Sequence, residues 1–127
     1  MILKKTFYGT LDLEIKRAKA NGSLICIEMD SNAKLGSSVI EKDPHPQSDN
    51  GKRLMNVIVN NDLVVVNASP VCNGSINRHR ETTSGKEESI LDHVIMCKAM
   101  NNYVEHMLID EIGKYSLTKY LNLLVPP

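Results

Sequence analysis

The stretch L-I-C-I-E-M-D-S-N-A-K-L-G, residues 24–36, decides how the rest of the chain is read. Residues 23–29 (S-L-I-C-I-E-M) are mostly apolar with β-branched isoleucines, which predicts a short strand buried on both faces. At Asp30 the composition turns polar and a long loop opens over 30–50, where D-P-H-P at 43–46 forbids regular structure. A buried strand running into such a loop is the carboxyl end of a strand in an α/β sheet, where ligands tend to bind. Asp30 and Asn32, two residues apart on extended backbone, are expected to point the same way there. A carboxylate beside an amide donor suits phosphoryl chemistry, with Asp30 positioning or deprotonating a water and Asn32 donating to a phosphate oxygen. The same pair also suits a turn shaped by side chains bonding their own backbone. A calcium loop of EF-hand type does not fit, because Lys34 stands at its fifth position and Leu35 where the turn needs glycine.

Outward from this stretch, Phe7, Leu11, Ile15 and Ala18 recur at helical spacing and Gly22 stops the run, giving a helix over about 8–21. Leu54, Val57 and Ile58 mark a second helix over about 51–60, and residues 63–67 a second buried strand. Residues 76–83 read as a polar strand, 84–86 as a turn and 89–97 as a more apolar strand, which together predict a hairpin. Two further strands follow over 104–109 and 115–120. Helix, strand, helix, strand and then consecutive strands predict an α/β fold with a mixed sheet and flanking helices.

A length of 127 residues supports one domain, and 42% hydrophobic with 24% charged residues is the composition of a folded globule rather than a disordered tail. Fifteen basic side chains balance fifteen acidic ones, so nucleic-acid binding must come from a local patch and not from overall charge. No apolar run approaches the roughly 20 residues of a membrane helix, and the first residues carry no apolar signal-peptide core. The expectation is therefore an intracellular chain, nuclear or cytoplasmic, with no membrane partner. Cys26, Cys72 and Cys97 lie far apart, which points to reduced thiols, with Cys26 and Cys97 as small core residues. The four histidines lack the spacing of a structural zinc site.

Two more places invite chemistry. Asp92 interrupts the apolar run S-I-L-D-H-V-I at 89–95, and a buried carboxylate is costly without a partner. It suits an Asp that orients a catalytic imidazole or joins a metal shell, or one satisfied by backbone or a hydroxyl near a sheet edge. His93, next to it, points to the opposite face and reads as structural. Arg78 and Arg80, in R-H-R, are able to straddle a phosphate backbone, although short charged runs on edge strands are more often solvated.

Taken together, these segments resemble the endonuclease/exonuclease/phosphatase family, in particular the nuclease domains of retrotransposons that lack long terminal repeats. Residues 24–36 look like the family's strand ending in G-D-x-N-A, and N-G-K-R-L-M-N-V-I at 50–58 looks like its N-G-x-x-L helix. D-L-V-V-V-N-A at 62–68 looks like the next core strand, and S-I-L-D-H-V-I like the S-x-x-D-Y-I strand. The resemblance spans most of residues 23–98 and implies a single partial domain over 1–127, roughly half of a four-layer α/β sandwich. It implies that Asp30 orients or deprotonates the attacking water, that Asn32 binds the scissile phosphate and that Asp92 holds a catalytic histidine. It also implies DNA as substrate and a divalent metal, usually magnesium. Met29 departs from the family's glycine and Asn77 from its frequent threonine. The family's metal-binding Glu would lie in an N-terminal half outside these residues, and none of the four histidines stands at the terminal S-D-H position. The expectation is a truncated nuclease, weakly active or inactive alone, that is liable to associate with itself through uncovered sheet edges. A non-catalytic module that keeps the fold is the alternative, and a phosphatase for lipid or inositol phosphates a lesser one.

Overall fold

A computed structural model describes residues 2–30, 32–109 and 115–119, with 2–6 and 115–119 described by their backbone alone. The chain begins with helix α1 (Ile2–Ala20), which starts upstream of the expected residue 8 because no breaker stands among residues 2–7. Strand β1 (Cys26–Asp30) follows, and then an irregular loop that runs to the cap of helix α2 (Asp49–Asn60). Strand β2 (Leu63–Val65) passes directly into a 3-10 turn (Val66–Ala68) and a two-residue strand β3 (Cys72–Asn73). Strands β4 (Arg78–Thr82), β5 (Gly85–Ser89) and β6 (Asp92–Cys97) come next, then a single helical turn α3 (Lys98–Asn101) and strands β7 (Val104–Ile109) and β8 (Tyr115–Lys119).

The strands form two three-stranded sheets and one separate ribbon. In the first sheet β6 lies between β1 and β2, antiparallel to both. In the second, β7 pairs in parallel with β3 and antiparallel with β8, so that sheet is mixed. One face of the first sheet packs Ile95, Cys97, Leu63 and Val65 against Tyr8 and Ile15 of α1 and Leu54, Val57 and Ile58 of α2. The other face packs Val94 and Met96 against Met107 and Ile109 of the second sheet. Period-two alternation thus gives β6 two cores, one on each side, and makes a helix–sheet–sheet stack.

Several sequence expectations change here. β1 is not buried on both faces: Cys26, Glu28 and Asp30 are exposed while Ile27 and Met29 are half-buried. The second sheet covers the face of β6 but not that of β1, which is an edge strand among the described residues. Cys26 is accordingly a surface residue, whereas Cys97 is buried as expected. The expected hairpin partner of 76–83 was 89–97, yet β4 pairs with β5, and β6 leaves for the first sheet. Residues 90 and 91 break the run, with Ile90 fully buried in the helix-side core. The expected strand over 63–67 ends at Val65, where the chain tightens into the 3-10 turn. β7 matches its expected bounds; residue 120 lies outside the described residues.

The loop after β1 is held from within. Asp43, buried, accepts from the backbone N–H of Gly36 at 3.1 Å and of His45 at 3.0 Å. Ser48 caps α2 by accepting from Gly51 N at 3.0 Å and accepts from Lys34 N at 3.0 Å, so the helix start is bonded to the loop. Gly51 is required by that contact, since a Cβ there would lie 2.0 Å from the Lys34 carbonyl oxygen. Alanine is the better helix former by about 1 kcal/mol, but a collision with fixed backbone costs about 1–3 kcal/mol and dominates. Gly51→Ala is expected to lower the unfolding free energy by up to about 2 kcal/mol in urea titrations. Gly9→Ala, in α1 with nothing within 4 Å, is expected to raise it by about 0.5–1 kcal/mol.

Candidate active site

Asp30 is the last residue of β1 and Asp92 the first of β6, and the antiparallel register sets them directly opposite each other. They share the sheet face turned away from the helices, at the rim that the second sheet leaves open. Like charges directly opposite on a sheet repel, so the pair needs a cation. Arg78, the first residue of β4, supplies it: its Nη2 donates to Asp92 Oδ1 at 2.9 Å and to Asp30 Oδ2. The hydrogen bond to Asp92, with both carboxylate charges, holds the guanidinium pKa above its ordinary value. Asp92 thus has the specific partner that its sequence context demanded, and the partner is a side chain from the ribbon. Asp92 stands at a strand end and is half-buried, not in the middle of an apolar strand.

Two buried asparagines fix the Asp92 backbone. Asn77 Oδ1 accepts from the N–H groups of Leu91 at 2.9 Å and Asp92 at 3.1 Å, and its Nδ2 donates to the Asp92 carbonyl at 2.8 Å. Asn67 Nδ2 donates to the same carbonyl at 3.0 Å, and its Oδ1 accepts from Val94 N at 2.8 Å. These residues satisfy the backbone groups left over where the chain passes from β5 to β6. Asn67 carries a readable signal, a polar residue ending the run V-V-V at 64–66, whereas Asn77 stands out in the sequence only as a departure from a family pattern. Asn67 also lines an open cleft of about 320 Å³ with Lys42, Ser69 and Asn73, to which neither Asp30 nor Asp92 contributes.

Asn32 is exposed and lies beyond the end of β1, so the extended-backbone argument that aligned it with Asp30 does not apply. Its carbonyl accepts from Asn50 Nδ2 at 3.4 Å, which ties the loop to the start of α2. Both carboxylates engage Arg78, whose side chain stays 42% exposed. Arg80 is exposed and stands opposite Glu87, as Lys86 does opposite Glu81. The ribbon over 78–89 carries Arg78, Arg80 and Lys86 against Glu81, Glu87 and Glu88, three against three, so it forms no positive patch.

His93 faces the helix-side core, as its position beside Asp92 predicts. It is 1% exposed; Nε2 donates to the Ala33 carbonyl at 2.9 Å, and Nδ1 has no partner. Burial pushes its pKa below the ordinary imidazole range, opposed by the Ala33 bond and the charges of Asp43 and Asp92. No three His, Cys, Asp or Glu side chains gather in a metal-holding group among the described residues. With both facing carboxylates engaged by Arg78, these residues do not fit the magnesium site that the resemblance implies.

No protein-family model and no curated protein matches the sequence. Among solved structures, the chain is similar to the endonuclease domain of TRAS1, a telomere-specific non-LTR retrotransposon, with a TM-score of 0.65 at 15% sequence identity. The match covers 88% of this chain and 52% of the other, so this chain spans about half the length of that neighbour. The shared property is the fold, a mixed α/β architecture found in an endonuclease domain.

Asn77→Ala removes three hydrogen bonds and strands backbone groups, so it is expected to cost about 2–4 kcal/mol in urea unfolding. His93 gives a pH signature. Because its folded pKa is depressed, the unfolded chain binds more protons below pH 6.5, and stability falls as pH drops from that value toward the folded pKa. Urea midpoints measured from pH 7 to pH 5 are expected to decline, and His93→Gln to flatten that part of the curve.

Proposed function

We propose that this chain is part of a nuclease-type phosphodiesterase domain, derived from a retroelement and acting on DNA, and that the 127 residues alone are weakly active. The observation that carries the reading is the pairing of Asp30 with Asp92. Sixty-two positions apart in sequence, they meet across one strand pair at the open rim of the sheet. Both match positions at which the resemblance implies catalytic roles, and the fold is shared with a retrotransposon endonuclease domain. In this reading Asp30, the more exposed carboxylate, takes the proton of the attacking water. Asn32, on the exposed loop two residues on, donates to a phosphate oxygen. Arg78 sits between the carboxylates, where its fixed charge opposes the negative charge that builds on phosphorus. Magnesium, which the resemblance implies, would take its main ligands from residues beyond this chain. The length of the neighbour, about twice the matched span, supports that division.

A second reading has its own observation. Arg78 engages both carboxylates and the ribbon is neutral, as suits a module that keeps the fold without the chemistry. Nicking of supercoiled and abasic plasmid DNA in magnesium separates the two. The nuclease reading expects slow nicking that falls by about 100-fold or more in Asp30→Ala. Nicking that is absent, or equal in wild type and Asp30→Ala, gives the case to the non-catalytic module.

A further inference from the structure

We propose that Arg78 acts as the cation of the Asp30–Asp92 pair, so that the pair is assembled by an internal guanidinium and takes a divalent metal only when Arg78 is removed. Three features carry this. The two carboxylates stand opposite each other in register, an arrangement that is unfavourable without a positive charge between them. The same Arg78 nitrogen, Nη2, bonds one oxygen of each carboxylate, so a single cationic group already spans the pair. Finally, Arg78 is not a wandering surface side chain. Its backbone is paired to Ser89 in the ribbon, and the preceding residue, Asn77, is bonded to the Leu91 and Asp92 backbone.

A tethered cation competes well with one from solution. Because Arg78 is fixed beside the pair, it acts at an effective concentration that a soluble ion at millimolar levels has to exceed. A divalent ion also has to shed water and needs oxygen ligands that are not already shared with a guanidinium. Adding it without displacing Arg78 would place three positive charges against two negative ones. The arginine therefore stabilises the pair and closes it to metal at once. Lysine at this position would keep the charge but lose the planar fork.

The inference concerns how the proposed site is assembled and rests on that reading only for its place in catalysis; its test uses no DNA, so the two fail separately. Manganese, a paramagnetic stand-in for magnesium, is titrated into wild type, Arg78→Gln, Arg78→Lys and the double variant Arg78→Gln/Asp92→Asn, with binding read by electron paramagnetic resonance and by calorimetry. Wild type and Arg78→Lys are expected to bind weakly. Arg78→Gln is expected to gain affinity by about tenfold or more, and the double variant to lose that gain. Equal affinity in wild type and folded Arg78→Gln overturns the proposal, as does a gain that survives in the double variant. If Arg78→Gln does not fold, Asp92→Asn alone decides: manganese affinity unchanged from wild type supports the proposal, and a loss of affinity overturns it.

Discussion

Strand β6 is apolar on both faces and has a neighbour on each side, and its position is set at one end by the asparagine bonds to Asp92. Those bonds satisfy backbone groups that the sheet ladder does not reach. Without them the chain has no inexpensive way to finish one ribbon at Ser89 and enter a different sheet three residues later. Once Asp92 is placed, alternation does the rest. His93, Ile95 and Cys97 face the helices, while Val94 and Met96 face the second sheet. The candidate site is the open end of the same arrangement, where the strand emerges from between its two cores.

Much of the fold was legible because its signals are local. The run over 104–109 buries Val104, Met107 and Ile109 along β7, and the helix over 49–60 carries buried Leu54, Val57 and Ile58 at helical spacing behind a Ser48 cap. The partner of β4 was not legible. Residues 85–89 are polar and give no strand signal, so the stronger apolar run after them attracted the pairing. β1 is less buried than its sequence suggests for a related reason. An apolar sequence reports preference for a core, but whether a second layer covers both faces depends on where the other sheet ends.

The site was legible at the level of residue type and illegible at the level of partnership. Asp30 was identifiable as a carboxylate at the end of an apolar run and Asp92 as one interrupting an apolar run, each of which demands an explanation. Nothing in R-H-R at 78–80 tells the two arginines apart, yet Arg78 faces the carboxylates and Arg80 faces Glu87 across the ribbon. Two residues apart on one strand, they share a face of the ribbon; the difference is that Arg78 follows Asn77, which is bonded to the Asp92 backbone, a placement that needs the three-dimensional register.

The central strand arrives late in the chain, and this has a consequence for synthesis. β1 is complete at Asp30, but the strand it pairs with begins at Asp92. At about 5–20 residues per second, a ribosome takes about 3–12 s to cover that interval. During it α1, β1, α2 and β2 have no central strand to join, and Leu54, Ile58 and Val65 have only the core residues already made, such as Ile15 and Leu35. The first ninety residues therefore emerge as helices around an unfinished sheet, a state in which a chaperone has the most to protect. β6 gives the helices their sheet, while the core on its other face still waits for Met107 and Ile109 of β7.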